Sequence, residues 1–298
     1  MKIVSLIQVG NEVEIIDQHI AYHKSLGVDY FVIVDMFSED GTSEKLDRYR
    51  NDPDFVIRRV LKNEVVDDTG IKTPELARWA LAVGRDEFDA DWIVRMDADE
   101  FLFPVNGNLK ATLASYGDQK AFKVERRNAI FKSDETDPTL PLQWSDLSQL
   151  SIVSDPKAIN AQQYQTSDDV PLILTMIQPK TIVRARSVEG FTTGAHDALD
   201  AMGHIISPGS ADGIISVHFW FTTLSRFTRK AGNTAEFETL MRKHFGRDVG
   251  WQWSRWARLT AEGQDAIERE YYRQFPTEQE FQALVQQKKI CHVGKYWD

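Results

Sequence analysis

The chain has 298 residues, 42% of them hydrophobic and 27% charged, a balance ordinary for a soluble globular protein and sufficient for one sizeable core. A formal charge of −10 argues against a nucleic-acid backbone as the main partner. The single cysteine, Cys291, excludes an internal disulfide framework and fits a reducing cytoplasm.

Residues 2–9 read as a first strand, too short for the apolar core of a signal peptide and followed by no cleavage site. Asn11, with Glu14 three residues on, is expected to cap a helix whose apolar face carries Val13, Ile16 and Ile20 and which stops at Gly27. Tyr30-Phe-Val-Ile-Val34 is a continuous apolar run, as expected of a parallel strand covered on both faces. It ends in Asp35, and a helix follows Ser38-Glu-Asp-Gly-Thr42 to about Tyr49. Phe55–Val60 is a third strand. Thr73-Pro74-Glu75 opens another helix with a capping hydroxyl and a proline in the first turn. Trp92-Ile-Val-Arg-Met96 is the fourth strand, and it runs into Asp97-Ala-Asp99-Glu100-Phe101. The order βαβαβαβ predicts an α/β sheet whose ligands collect beyond the carboxyl ends of its strands.

The regularity stops after Leu102. Ala121–Phe131 reads as a strand, residues 133–171 as a long polar loop that moves in the absence of ligand, and Leu172–Ile177 with Thr181–Arg186 as a hairpin. Ile214–Phe221 is a last apolar strand, and from Thr223 onward the pattern is helical. No apolar run has the length of a bilayer span, which leaves peripheral membrane attachment open.

Asp97 and Asp99 are two apart, so an extended backbone can aim both at one hard cation, and such a cation makes a diphosphate easier to expel. Asp52-Pro-Asp54 and Asp89-Ala-Asp91 repeat the tripeptide, yet only Asp97-Ala-Asp99 follows a buried-looking strand. His19 and His23, four apart on the first helix, are expected to pack against the sheet rather than bind metal. Trp251, Trp253 and Trp256 are expected in a core or interface. No Walker A loop, GxSxG elbow or CxxC pair occurs.

The ordered features Asn11-Glu12, His19-Ile-Ala-Tyr22-His23-Lys-Ser-Leu26-Gly27-Val28, Asp35-Met-Phe-Ser38-Glu-Asp40-Gly41-Thr42 and Asp97-Ala-Asp99-Glu100-Phe101 resemble a GT-A glycosyltransferase. The resemblance is to the family 2-like group that shares its "DaDEF" signature with family 92. It implies a mixed sheet flanked by helices. A GT-A domain would span residues 1–222, with a donor-binding half to about 103 and an acceptor-side half to 222. Residues 223–298 would form a C-terminal helical extension. The implied activity moves a sugar, from a UDP-sugar for preference, to an acceptor hydroxyl of a glycan or glycoconjugate in polysaccharide synthesis, with Mn²⁺ or Mg²⁺ on the diphosphate.

By motif position, the resemblance sets Val9, Asn11, Glu12 and Asp35 beside the nucleoside, and Asp97 at the ribose or the metal. Asp99 and His218 become metal ligands, and Arg78 and Lys230 phosphate contacts. Arg78 departs from the usual pattern, because Trp79 replaces an asparagine. Arg226 and Arg229 lie at helical spacing with Lys230, and a solvated helix face is their alternative. Glu189, His196 and Asp197 are the candidates for a catalytic base or an acceptor contact. Two other readings stay open: a GT-A-like binding or scaffold protein, and a nucleotidyltransferase, against which the absence of a Gly-rich loop after the first strand counts.

Overall fold

The computed structural model describes residues 1–67, 70–158, 171–245 and 251–298. An eight-stranded sheet organises them. Its first half is parallel, as the apolar runs predict: β1 (Ile3–Val9), β2 (Tyr30–Met36), β3 (Phe55–Val60) and β4 (Trp92–Met96). Its second half is mixed: β5 (Glu100–Pro104), β6 (Ala121–Asn128), β7 (Lys180–Arg184) and β8 (Gly209–His218). The order across the sheet is β3-β2-β1-β4-β7-β6-β8-β5. β7 runs antiparallel to both β4 and β6, and β8 runs parallel to β6 and antiparallel to β5.

That order forces a curl. Four inter-strand spacings separate β4 from β5, about 19 Å in a flat sheet. The chain from Met96 to Glu100 reaches at most about 14 Å. The sheet therefore bends over itself, and Asp97-Ala98-Asp99 bridges the opening at its upper edge.

Each face of the parallel half is buried. Ile3, Ile7, Trp92, Val94 and Met96 face helix α1 (Ile16–Ser25) and the curled half, while Val4, Leu6, Val32, Val34 and Ile93 face helix α2 (Thr73–Asp86). Gly84 lets α2 approach closely, since a Cβ there would stand 2.8 Å from Cδ1 of Ile93. α1 is tied to β5 by the Tyr22 hydroxyl, which donates to the Leu102 carbonyl at 2.6 Å, and by His23 Nε2, which accepts from the Leu102 N–H at 3.3 Å. His19 and His23 are fully buried against Phe101, as expected of packing residues. The C-terminal chain forms α3 (Leu224–Phe245), α4 (Trp251–Glu262), α5 (Gln264–Arg273) and α6 (Glu278–Gln286). Trp256 is buried against Trp220 and Phe227. No helix among the described residues is long and apolar enough to cross a membrane.

Several local expectations are corrected. α1 starts at Ile16, because Asn11 adopts φ +58° and caps nothing; its Oδ1 accepts from the Glu39 N–H at 2.8 Å and its N–H donates to Ser38 Oγ at 3.0 Å, which fastens the loop after β2. Gly27, at φ +97°, does end the helix. No hairpin forms at 172–186: Leu172–Leu174 is a short 3-10 turn, and β7 pairs with β4 and β6 instead. The described part of 133–171 is not a bare loop. It holds a helix (Trp144–Ser148) and a strand (Ser151–Val153) paired with Ile290–His292, with Leu147 and Ile152 buried; residues 159–170 lie outside the described residues. β8 ends at His218, three residues before the expected end.

Candidate active site

The site is assembled by strand register. Val9 of β1 is level with Asp35 of β2, so both stand at the carboxyl edge next to Asp97, which follows β4. On the other side of the opening His218 is level with Glu100 of β5 and with Asn128 of β6. The Phe219 N–H then donates to the Asp99 carbonyl at 2.8 Å. Asp99, His218 and Asn128 meet because three strand ends finish at one level.

Asn128 fixes the state of His218. Its side-chain amide donates to the carbonyls of Ile173 and Thr175 at 2.9 and 3.3 Å, which leaves Oδ1 toward His218 Nδ1 at 3.1 Å. A carbonyl-type oxygen only accepts, so Nδ1 carries the proton and Nε2 presents a lone pair. That lone pair faces Oδ1 of Asp99 at 3.5 Å. Burial lowers the His218 pKa to about 4 although Asp99 pulls it upward, so the imidazole is neutral at pH 7. A bare nitrogen and a carboxylate oxygen pointed at each other are two donors to one cation.

The rest of Asp99 is already occupied. Arg226 Nη2 donates to its Oδ2 at 2.8 Å, and the Lys230 ammonium donates to the same oxygen. Burial alone would raise the Asp99 carboxyl, but the cations Lys230 and Arg226 hold it well below the usual carboxylate range. Arg226 is 1% exposed and also binds Glu12 through two nitrogens, at 2.6 and 3.0 Å, and the Phe219 carbonyl at 2.9 Å. A solvated helix face is therefore the wrong description of Arg226. Arg229 does lie partly exposed, paired with Glu14.

Asp97 points elsewhere. Its carboxylate is half-exposed, and its Oδ2 accepts from Lys180 at 2.8 Å. Desolvation pushes it up, Lys180 pulls it down, and the net position is well below an ordinary carboxylate. Glu100 is fully buried; its Oε2 accepts the Asp97 N–H at 3.1 Å and its Oε1 lies 2.8 Å from Arg126. Lys180, Arg126 and Asn128 escaped the sequence reading. They come from β6 and β7, whose places in the sheet no local pattern announces.

The remaining candidates sort by place. Val9 is buried in the core, so only its backbone borders the opening. Glu12 spends its carboxylate on Arg226. Asp35 is buried too, accepting from Ser43 Oγ and from the Ser38 N–H, with Arg59 at 3.6 Å; the turn and helix start that follow β2 hold its oxygens. Arg78 is exposed beside Gly190 and makes no contact with Asp97 or Asp99. Glu189 pairs with Arg85 at 2.9 Å near the carboxyl end of α2. Twelve residues of helix, about 18 Å, separate Arg85 from Thr73. Thr73 lies at the upper edge, where its carbonyl accepts from Gln8 at 3.0 Å, so Glu189 is removed from the site. Asp197 pairs with Lys123 at 2.6 Å. His196 stands nearest: it lies beside the entry to β7, its Nδ1–H donates to the Pro179 carbonyl at 2.9 Å, and burial lowers its pKa.

Among the described residues no three His, Cys, Asp or Glu side chains converge as a preformed metal centre. The fit to a divalent ion rests on the Asp99 and His218 pair, which leaves the other coordination positions to a ligand and water.

The sequence model of glycosyltransferase family 92 matches residues 4–205. No curated protein matches the chain. Among solved structures, S. aureus TarS 1-349 in complex with UDP-GlcNAc is 11% identical, with a TM-score of 0.41, covering 91% of this chain and 78% of that one. The mannosyltransferase PcManGT from Pyrobaculum calidifontis, in complex with GDP-Man and Mn²⁺, is 16% identical, with a TM-score of 0.35, covering 96% of this chain and 75% of that one.

Proposed function

This chain belongs to glycosyltransferase family 92, and we propose that it transfers a glycosyl group from a nucleoside-diphosphate sugar to an acceptor hydroxyl, with a divalent ion on the diphosphate. The observation that carries the reading is the lone pair of His218 Nε2 facing Asp99 Oδ1 at the upper edge of the sheet. Asp99 and His218 would hold the ion, whose charge would offset that of the departing diphosphate. One imidazole and one carboxylate suit Mn²⁺ better than Ca²⁺.

The chain's own residues do the positioning. Asn128 keeps His218 in the tautomer that binds, and Arg226 fixes Asp99 to Glu12. Lys180 turns Asp97 so that one oxygen is left for the ribose or for water on the ion. The backbones of 9–12 and 35–38 border the nucleoside, since the Glu12 and Asp35 side chains are engaged. Of the three candidates for the base, His196 supports the role best: Nδ1 is spent on Pro179, so Nε2 is a proton acceptor close to Lys180 and Asp97.

Thermal-shift titration with UDP, GDP, CDP and ADP, each with Mn²⁺, Mg²⁺ or EDTA, tests this, with UDP-sugars first in line as donors. Ligand at one hundred times its dissociation constant stabilises the fold by about 2.7 kcal/mol. A shift with one diphosphate that EDTA abolishes is expected. No shift with any of them would overturn the reading in favour of a non-catalytic GT-A domain.

A further inference from the structure

We propose that Lys230 is an exchangeable occupant of the cation site: it neutralises Asp99 until a nucleoside diphosphate arrives, then passes to the phosphates, so that ion and diphosphate bind together. The inference rests on the donor-site reading above.

The two cations on Asp99 Oδ2 are not equivalent. Arg226 is 1% exposed and holds Glu12, Asp99, Phe219 and Trp220 at once. It cannot leave without stranding two carboxylates and two carbonyls. Lys230 is 26% exposed in its side chain, donates to Asp99, and has Glu12 next nearest at 3.7 Å. An ammonium on a flexible four-carbon stem exchanges partners easily, whereas a planar guanidinium in a fitted fork does not. Lys180, the counter-ion of Asp97, is 4% exposed and also lies 3.5 Å from Glu100, so it belongs with the fixed set.

Charge then decides the order of events. Glu12 and Asp99 carry two negative charges, and Arg226 and Lys230 carry two positive ones. A divalent ion placed between Asp99 Oδ1 and His218 Nε2 would meet the Lys230 ammonium across a single carboxylate group. In a partly buried site that repulsion is large. A diphosphate relieves it, because its oxygens accept the Lys230 hydrogen bonds and fill the positions that the two protein ligands leave open. Lys230 therefore opposes the ion when it comes alone and favours it when the diphosphate comes too.

The test is Mn²⁺ binding, read from the free-Mn²⁺ electron paramagnetic resonance signal, for the wild-type chain, Lys230→Met and Lys230→Arg, each without nucleotide and with UDP or GDP. For the wild type, the diphosphate is expected to tighten Mn²⁺ binding by at least about tenfold. In Lys230→Met, binding of Mn²⁺ alone should tighten by about tenfold and the benefit of the nucleotide should shrink. Lys230→Arg, which keeps the cation, should bind Mn²⁺ alone as weakly as the wild type. Mn²⁺ binding that is unchanged or weaker in Lys230→Met without nucleotide overturns the proposal, as does a wild type indifferent to the diphosphate that it binds. If neither protein binds a diphosphate while Lys230→Met still gains Mn²⁺ affinity, Lys230 competes with the ion at Asp99 but the transfer to phosphate is overturned together with the donor reading.

Discussion

Arg226→Met should be among the most destabilising single substitutions in the chain. The side chain is buried, and its guanidinium holds Glu12 at 2.6 and 3.0 Å, Asp99 at 2.8 Å, and the carbonyls of Phe219 and Trp220 at 2.9 and 3.3 Å. Methionine fills a similar volume and makes none of those bonds. Removing one partner of a buried pair costs about 3–5 kcal/mol, because it leaves an uncompensated charge behind. Lys230 stays to neutralise Asp99, so Glu12 bears most of the loss and the lower half of that range is expected. Arg48→Met is the control: Arg48 also holds a carboxylate, its Nη2 reaching both oxygens of Asp17 at 2.7 and 2.8 Å, but its side chain is 57% exposed, and such pairs are worth about 1 kcal/mol or less. Urea unfolding at pH 7.5, followed by tryptophan fluorescence, measures both. Adding Glu12→Gln to Arg226→Met should recover part of the loss, since it removes the stranded charge, and the coupling between the two should be about 1–3 kcal/mol. An Arg226→Met chain as stable as Arg48→Met would refute the claim that this arginine clamps the site.

Other predictions follow from other parts of the fold. Asp99→Asn should leave the chain folded by circular dichroism and abolish the Mn²⁺-dependent thermal shift with nucleoside diphosphates; a normal shift would remove Asp99 from the ion. His23 is buried, its Nδ1–H donates to the His19 carbonyl at 2.8 Å, and burial holds its pKa well below the ordinary value. The unfolded chain therefore binds this proton near pH 6.5 and the folded chain does not, so stability is complete above about pH 6.5 and falls as the pH drops below it. His23→Gln should show a shallower fall between pH 6.5 and 5 in urea titrations, and an equal slope would contradict the assignment. Gly84→Ala gains about 1 kcal/mol of helix propensity but drives a Cβ to 2.8 Å from Ile93, and overpacking of that kind costs about 1–3 kcal/mol. Net destabilisation is expected there. Gly232→Ala, within α3 and with nothing within 4 Å of the new Cβ, should stabilise the chain.

The parallel half of the sheet was legible because its strands announce themselves locally. Tyr30–Val34 and Trp92–Met96 are runs covered on both faces, and Gly27 and Pro74 sit where residue chemistry put them, although Thr73 falls inside its helix and its hydroxyl caps nothing. Asp97 and Asp99 were singled out by their position after β4, and His218 by the family resemblance. Lys180, Arg126 and Asn128 were not legible. Each lies on a strand whose neighbours come from distant parts of the chain, and nothing within ten residues of Lys180 says that β7 will lie against β4. Asn11 misled for a related reason. Its amide does form a tight local bond, but to Glu39 across the β1–β2 edge rather than to its own helix, and at φ +58° it cannot begin one. Arg226 was visible as a basic residue at helical spacing. Its burial depends on Glu12 and Asp99, more than a hundred positions away, so its spacing left a phosphate contact and a solvated face as the readings and gave no sign of a buried clamp.

The curl of the sheet explains why so few residues make the site. Asp97-Ala98-Asp99 is the short span that carries the chain from β4 to β5 across the opening, and β5 is held in register by β8, with Glu100 opposite His218 and Phe101 opposite Val217. Once that register is set, Asp99 has no choice but to stand next to His218 and Phe219, and β6 brings Asn128 level with them. A one-residue slip between β5 and β8 would exchange the faces that Glu100 and Phe101 present and separate Asp99 from the imidazole. The apolar packing of Phe101 on Phe219, with ring centroids 4.9 Å apart, resists such a slip. Hydrophobic burial on one side of the strand end thus fixes, to within a hydrogen bond, where the charged groups on the other side meet. The sequence between Asp97 and Phe101 serves the fold and the chemistry at once, and a substitution there should be judged by which of the two it disturbs.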